Sequence, residues 1–192
     1  MLILEGLTSI LQICFKQTPI FQSTRCMRYL LDANTYIQAK NQYYGMDICP
    51  AYWHWLDLQF ELGNLCSVDM IGRELRDGND ELAEWVKLRP EHFIKNDDDE
   101  TQSVYIELVQ SVMEGNYNPG NRDNFLAKAD PWIIAKAKTT GAVVVTHEAL
   151  LSEGTKKVKV PNICRQFGVP CINTFQFLRE LNARFVLETP VS

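Results

Sequence analysis

An α/β fold built on a mostly parallel sheet is predicted by three observations. From Met27 onward, short apolar runs alternate with longer amphipathic ones, the pattern of strands covered by helices. The stretch ADPWIIAKAKTTGAVVVTHEAL reads as a helix feeding a strand apolar on both faces, as central parallel strands are. The 192 residues fit one domain at roughly 100–200 residues per domain, long enough to bury one core and too short for two.

The elements follow in order. Tyr29, Leu30 and Leu31 form a brief buried strand ending at Asp32, and Asn34 and Thr35 read as turn chemistry after it. Pro50 to Gly63 carries Trp53, Leu56 and Phe60 at helical spacing and stops at a glycine. After Leu65-Cys66-Ser67, a helix is expected from about Val68 to Asp77, with Met70, Ile71 and Leu75 on its inner face and Glu74 near its middle. From Glu74 to Glu100 ten carboxylates stand against Arg76, Lys87, Arg89 and Lys95, and Asp97-Asp98-Asp99 reads as a solvated loop rather than a metal-binding triplet. Glu100 to Glu114 is helical through Val104, Leu108 and Val112, and Gly115 to Asn124 is a loop dense in turn formers. Asp130 before Pro131 reads as an N-cap with a first-position proline. That helix runs to about Thr139, Gly141 ends it, and Ala142 to Val145 is an apolar strand terminating at Thr146. A strand at Val158–Val160, a short helix from Pro161, a strand at Val169–Ile172 and a helix from Thr174 to about Arg184 complete the set.

Composition narrows the function classes. Apolar residues at 46% and charged residues at 22% are ordinary for a globular chain and exclude disordered and collagen-like classes. A net charge of −5 disfavours a purely electrostatic nucleic-acid binder and leaves room for an enzyme with local positive charge. Cys14, Cys26, Cys49, Cys66, Cys164 and Cys171 form no C-x-x-C pair, so reduced, mostly buried thiols are expected. His54, His92 and His147 are far apart and read as surface or packing residues, without a zinc site. The opening MLILEGLTSILQICF lacks a basic n-region and is broken by Glu5 and Gly6, so neither export nor a membrane span is expected. Residues 1–26 therefore read as an extension, with Met27 as the functional start, and the setting as cytoplasmic.

Ligands of open parallel sheets bind outside the carboxyl ends of the strands, which directs attention to Asp32 after the first strand and to Thr146 and Glu148 after the most apolar one. With Glu74 and Asp130, whose helices could face the same edge, four carboxylates could converge. Such a cluster repels itself unless a cation neutralises it, and hard oxygen ligands select Mg²⁺ or Mn²⁺. A divalent ion activates water and stabilises charge developing on a phosphodiester, the physical case for a nuclease. Asp32, a charged group directly after Tyr-Leu-Leu, is the hardest of the four to explain away, whereas the other three each have a plainer reading. Asp130 is explained equally well as a cap, Glu148 as a first-turn acid, and Glu74 as a surface carboxylate beside arginines.

YLLDANTYI, VDMIGREL, ADPWIIAKA and AVVVTHE occur in the order and approximate spacing of the PIN-domain nucleases, and residues 27–188 resemble one PIN-like domain, with 189–192 as a tail. The closing VKVPNICRQFGVPCINTFQFLREL resembles a bacterial subgroup related to VapC-type toxins of toxin–antitoxin systems. The resemblance implies a three-layer α/β/α sandwich with a sheet of four to five strands. It also implies a Mg²⁺- or Mn²⁺-dependent endoribonuclease, a toxin with an antitoxin partner encoded nearby and a homodimer. Asp32, Glu74 and Asp130 match its principal acidic positions, and Asn34 and Thr146 match accessory polar ones. Glu148 stands where the family usually has Asp, which leaves open whether one or two ions are used.

Lys128, Lys136, Lys138, Lys156, Lys157 and Lys159 against Asp130, Glu148 and Glu153 give one segment a net +3 and leave −8 on the rest. Lys128, Lys136, Lys156, Lys157 and Lys159 are accordingly candidates for RNA phosphate contacts, or equally a solvated face. Two other classes compete: a catalytically inactive PIN-like module binding RNA or protein, and an aspartyl phosphatase suggested by Asp32-Ala33-Asn34-Thr35, in which Asn34 replaces a required acid. Tyr43, Tyr44, Tyr52, Trp53 and Trp55 could supply a dimer interface, with core packing as the other explanation for part of the cluster.

Overall fold

The computed structural model describes residues 28–186; the expected extension at 1–26, the start at Met27 and the tail at 189–192 lie outside the described residues. Five parallel strands form the sheet: β1 (Tyr29–Leu31), β2 (Leu65–Val68), β3 (Phe93–Ile94), β4 (Val143–Val145) and β5 (Cys171–Ile172). Their order is β3-β2-β1-β4-β5, so the chain steps outward from β1 on one side and returns to β4 on the other. Leu31 pairs with Val145, and Val145 with Ile172, which brings the carboxyl ends of β1, β4 and β5 into line. All three β1 residues, with Val144 and Val145, are fully buried, the condition that makes central parallel strands continuously apolar.

Helices cover both faces. On one lie α1 (Ala33–Gln38), a π-helical turn at Ala39–Tyr43, α2 (Pro50–Glu61), α3 (Asp69–Arg76) and α4 (Glu81–Lys87), joined by Tyr36 and Trp53 against Trp85. The other carries α5 (Asp99–Glu114), α6 (Pro119–Leu126), α7 (Asp130–Thr140) and α8 (Val160–Gln166), while α9 (Thr174–Glu180) returns to the first face through Phe177 against Trp55. The architecture is the three-layer α/β/α sandwich expected of the sequence. No helix among the described residues is long and apolar enough to cross a membrane.

Several local readings need correction. Asn34 and Thr35 belong to α1 rather than to a turn. The segment 115–124 contains the start of α6, because Asn118 is an N-cap accepting from Asn121 N–H and Pro119 sits inside the first turn. Val158–Val160 is no strand: Val158 N–H bonds the Asn121 side chain, and Val160 opens α8. The fifth strand is instead Phe93–Ile94, and α4 rises within the acidic segment, capped by Asp80. Asp98 is the N-cap of α5, so the aspartate triplet is partly structural. The last helix stops at Glu180, and Asn182 takes a left-handed conformation at φ 52.

Gly72, in the middle of α3, is required by close approach rather than by backbone conformation. A Cβ there would meet the Phe93 ring at 2.8 Å. Gly72→Ala is therefore expected to destabilise the fold by about 1–3 kcal/mol through overpacking of α3 on β3, read as a lower urea midpoint with an unchanged slope.

Candidate active site

The order of the sheet reverses between β1 and β4, and a crevice at the carboxyl ends of such a strand pair is the usual ligand site of a parallel α/β sheet. Asp32 stands there at 1% exposure. It occupies the N-cap position of α1 without making a side-chain cap bond, so capping does not account for it. Thr146, after β4, donates its hydroxyl to Asp32 Oδ2 at 2.7 Å, and Asn34 Nδ2 approaches the same oxygen at 3.4 Å. The other oxygen, Oδ1, is buried with no hydrogen-bond partner. Thr35 Oγ1 donates to Val145 O at 3.0 Å and ties α1 across to β4.

Asp130 reaches the same crevice from α7. It is the first helical residue, Ala129 being the cap, and makes no side-chain cap bond, which corrects the N-cap reading. Glu74 Oε1, 55 residues away in sequence, accepts Ala129 N–H at 2.7 Å and so holds the start of α7 against α3. The arginines beside Glu74 pair elsewhere: Arg73 and Arg76 both reach Asp69. Glu148 receives the backbone N–H of Val160 at 2.8 Å and Lys159 Nζ at 2.6 Å, while its own N–H donates to Thr146 Oγ1 at 3.1 Å. Next to this clamp, Leu151 and Asn162 exchange two further bonds, 3.0 and 2.9 Å, so the loop between β4 and α8 is pinned at its base.

Electrostatics tie the four acids together. Burial, above all, and then the charges of Asp32, Glu148 and Glu74 push the Asp130 carboxyl up to about 8, with Lys128 acting in the opposite sense. Burial likewise raises Asp32 to about 6; the Thr146 hydroxyl opposes the shift and the Glu148 charge adds to it. Asp32 and Asp130 thus resist ionising in the crevice, the state a bound cation would relieve. Among the described residues, however, no three His, Cys, Asp or Glu side chains already stand close enough together to hold a metal ion.

The lysines separate into two groups. Lys128 is exposed beside Asp130, and Lys156 and Lys157 are exposed on the loop after β4. Lys136 is committed to Asp98 at 2.6 Å, which accounts for it as a structural ion pair between α7 and α5, and Lys159 is committed to Glu148. Of the aromatic segment, Tyr52 and Trp53 are buried, and Tyr44 and Trp55 pack against the core; Tyr43 alone of the five is largely exposed, so packing explains most of the cluster. His92 is a packing residue, stacked on Phe60 with ring centroids 4.0 Å apart. His147 reads from sequence as another such residue, but its place between Thr146 and Glu148, two site residues, is the signal that separates it from His92.

Residues 29–185 match the family model described as Domain of unknown function (DUF4411). The chain belongs to the DUF4411 family. No curated protein and no solved structure matches it. The matched residues take in the whole sheet and every acid of the crevice, so the DUF4411 domain and the folded unit coincide. What the crevice offers a divalent cation is hard carboxylate oxygen, one such oxygen being buried and without a partner, and two of its acids are raised by burial and by the charges of neighbouring acids.

Proposed function

We propose that this DUF4411 chain is a metal-dependent endoribonuclease hydrolysing RNA phosphodiester bonds at the β1/β4 edge. The observation that carries the reading is the pair of raised acids, Asp32 and Asp130, near enough at the switch point for the Asp32 charge to act on Asp130, with Asp32 Oδ1 buried and unpartnered. Asp32, Asp130 and Glu74 would hold Mg²⁺ or Mn²⁺. Such an ion, when bound, supplies an acidified water and charge stabilisation at the scissile phosphate. Glu148 is already paired with Lys159, which favours one ion over two.

The chain's own residues do the rest. Thr146 and Asn34 fix Asp32 through one oxygen and leave the other without a hydrogen-bond partner. Glu74 positions the first turn of α7 and with it Asp130. Lys128, exposed beside the acids, is suited to a phosphate of the approaching strand, with Lys156 and Lys157 on the neighbouring loop as further contacts. The choice of RNA, the toxin role, the antitoxin partner and the homodimer rest on the resemblance to PIN-like proteins. The reduced Cys49, Cys66, Cys164 and Cys171 suit a cytoplasmic setting.

The direct test is cleavage of single-stranded RNA by purified protein with Mg²⁺ or Mn²⁺ and with EDTA. Cleavage that EDTA stops supports the reading. Binding of RNA without cleavage under any divalent ion would replace it with the inactive binding module. Thr146→Val removes the hydroxyl bonded to Asp32 and to Glu148 N–H. It is expected to lower kcat by about 10–100-fold with the fold retained, as loss of a ligand-orienting partner does.

A further inference from the structure

Next to the carboxylates lies a group of rings that the hydrolytic chemistry does not use. Tyr43 ends the π-helical turn, His147 follows β4 between Thr146 and Glu148, and Phe175 is the second residue of α9, just after β5. Because β4 and β5 are adjacent and parallel, His147 and Phe175 emerge at the same sheet edge as the acids. Tyr43 stacks on His147, 5.4 Å between centroids and 15° between planes, and meets Phe175 edge to face at 5.3 Å. His147 and Phe175 are themselves 6.0 Å apart. The three centroids form a compact triangle, and Tyr44 adds a tilted contact to Tyr43 at 6.4 Å. Tyr43 is 44% exposed and Phe175 37%.

The trio is held by ring contacts rather than polar ones, since His147 Nε2 is buried with no hydrogen-bond partner. The exposed rings of Tyr43 and Phe175 beside a site for a phosphodiester match the two halves of a nucleotide, charge for the backbone and a flat surface for the base. Double-stranded nucleic acid hides its base faces in the stack, whereas a single strand can offer one.

We infer that Tyr43, His147 and Phe175 form a stacking platform for an unpaired base of a single-stranded RNA substrate, next to the bond to be cut. The inference rests on the nuclease reading for the identity of the strand. It selects unpaired RNA without selecting sequence, because every base has a π-face.

The test uses the full chain with a fluorescently labelled oligouridylate, and a ribose-phosphate strand of the same length without bases as control. Binding is measured in EDTA, and KM and kcat are measured with Mn²⁺. Tyr43→Ala and Phe175→Ala are each expected to weaken oligouridylate binding about tenfold or more, to leave the base-free strand unaffected, and to raise KM with kcat little changed. Tyr43→Phe, which keeps the ring, should bind like the native protein, and circular dichroism checks the fold of each variant. Native affinity in both alanine variants would overturn the platform while leaving EDTA-sensitive cleavage standing. Ring-dependent binding without any cleavage would retain the platform and sink the hydrolytic reading. Loss of self-association in Tyr43→Ala with RNA binding unchanged would make the trio a protein contact and reject the inference.

Discussion

Asp32→Asn is expected to reduce RNA cleavage by at least about a hundredfold while the protein stays folded. The substitution keeps the shape of a side chain that is 1% exposed and lets its carbonyl oxygen continue to accept from Thr146. Its amide nitrogen then falls where the unpartnered Oδ1 stood, turning a buried acceptor into a donor that repels a cation. Stability should move the opposite way. A buried carboxylate raised to about 6 is costly at neutral pH, so in EDTA the variant should melt at a temperature equal to or above that of the native chain. Gel-based cleavage with Mn²⁺ and thermal melts of the same samples read both effects. Cleavage within tenfold of native would remove Asp32 from the site.

The second large effect is a stability profile that depends on pH and on divalent ion together. Asp130 rises from 3.8 to about 8, chiefly by burial and then by repulsion from Asp32, Glu148 and Glu74, and Asp32 rises to about 6. A carboxyl whose folded-state pKa lies above its unfolded value holds its proton more tightly in the folded chain. The stability this provides is full below about pH 4 and is lost as pH climbs through 6 and then 8. In EDTA, Tm should therefore fall between about pH 5 and 8.5, by an amount corresponding to a few kcal/mol. Mg²⁺ or Mn²⁺ should restore it at pH 8 and do little at pH 5, where protons already neutralise the acids. Asp130→Asn should flatten the EDTA profile. A native Tm constant across this range in EDTA, or unmoved by divalent ions at pH 8, would contradict the repulsion that the nuclease reading depends on.

What the sequence makes legible is what burial forces into it. β1 and β4 are covered on both faces, so YLL and VVV stand out as apolar runs, and the polar residues that end them, Asp32 and Thr146, do lie together at the switch point. β3 is only two residues long and follows a tight turn at Pro90–His92, too short for any periodicity to register. Asn118-Pro119-Gly120 has the composition of a turn, and only the side-chain bond to Asn121 N–H makes it a helix start. Val158 and Val160 have strand-forming side chains, yet their N–H groups go to Asn121 and Glu148 instead of a neighbouring strand. The acids at 32, 74, 130 and 148 could be named from sequence, but not their partners. Glu74 with Ala129, Glu148 with Lys159 and Lys136 with Asp98 are fixed by how the layers close, which no local pattern records.

The clamp at Glu148 bears on how this domain can change over time. Lys159, Val160 and the reciprocal Leu151–Asn162 bonds bring the two ends of the segment together at the foot of the sheet edge. What happens between those ends is thermodynamically cheap, since each doubling of a closed loop costs only about 0.6 kcal/mol. Residues 152–155 can therefore lengthen or shorten at little cost, whereas Lys156 is anchored through its carbonyl to Asn118 N–H, making 152–155 a graft point at which divergence, or an engineer, can insert new chain while the pinned base stays in place.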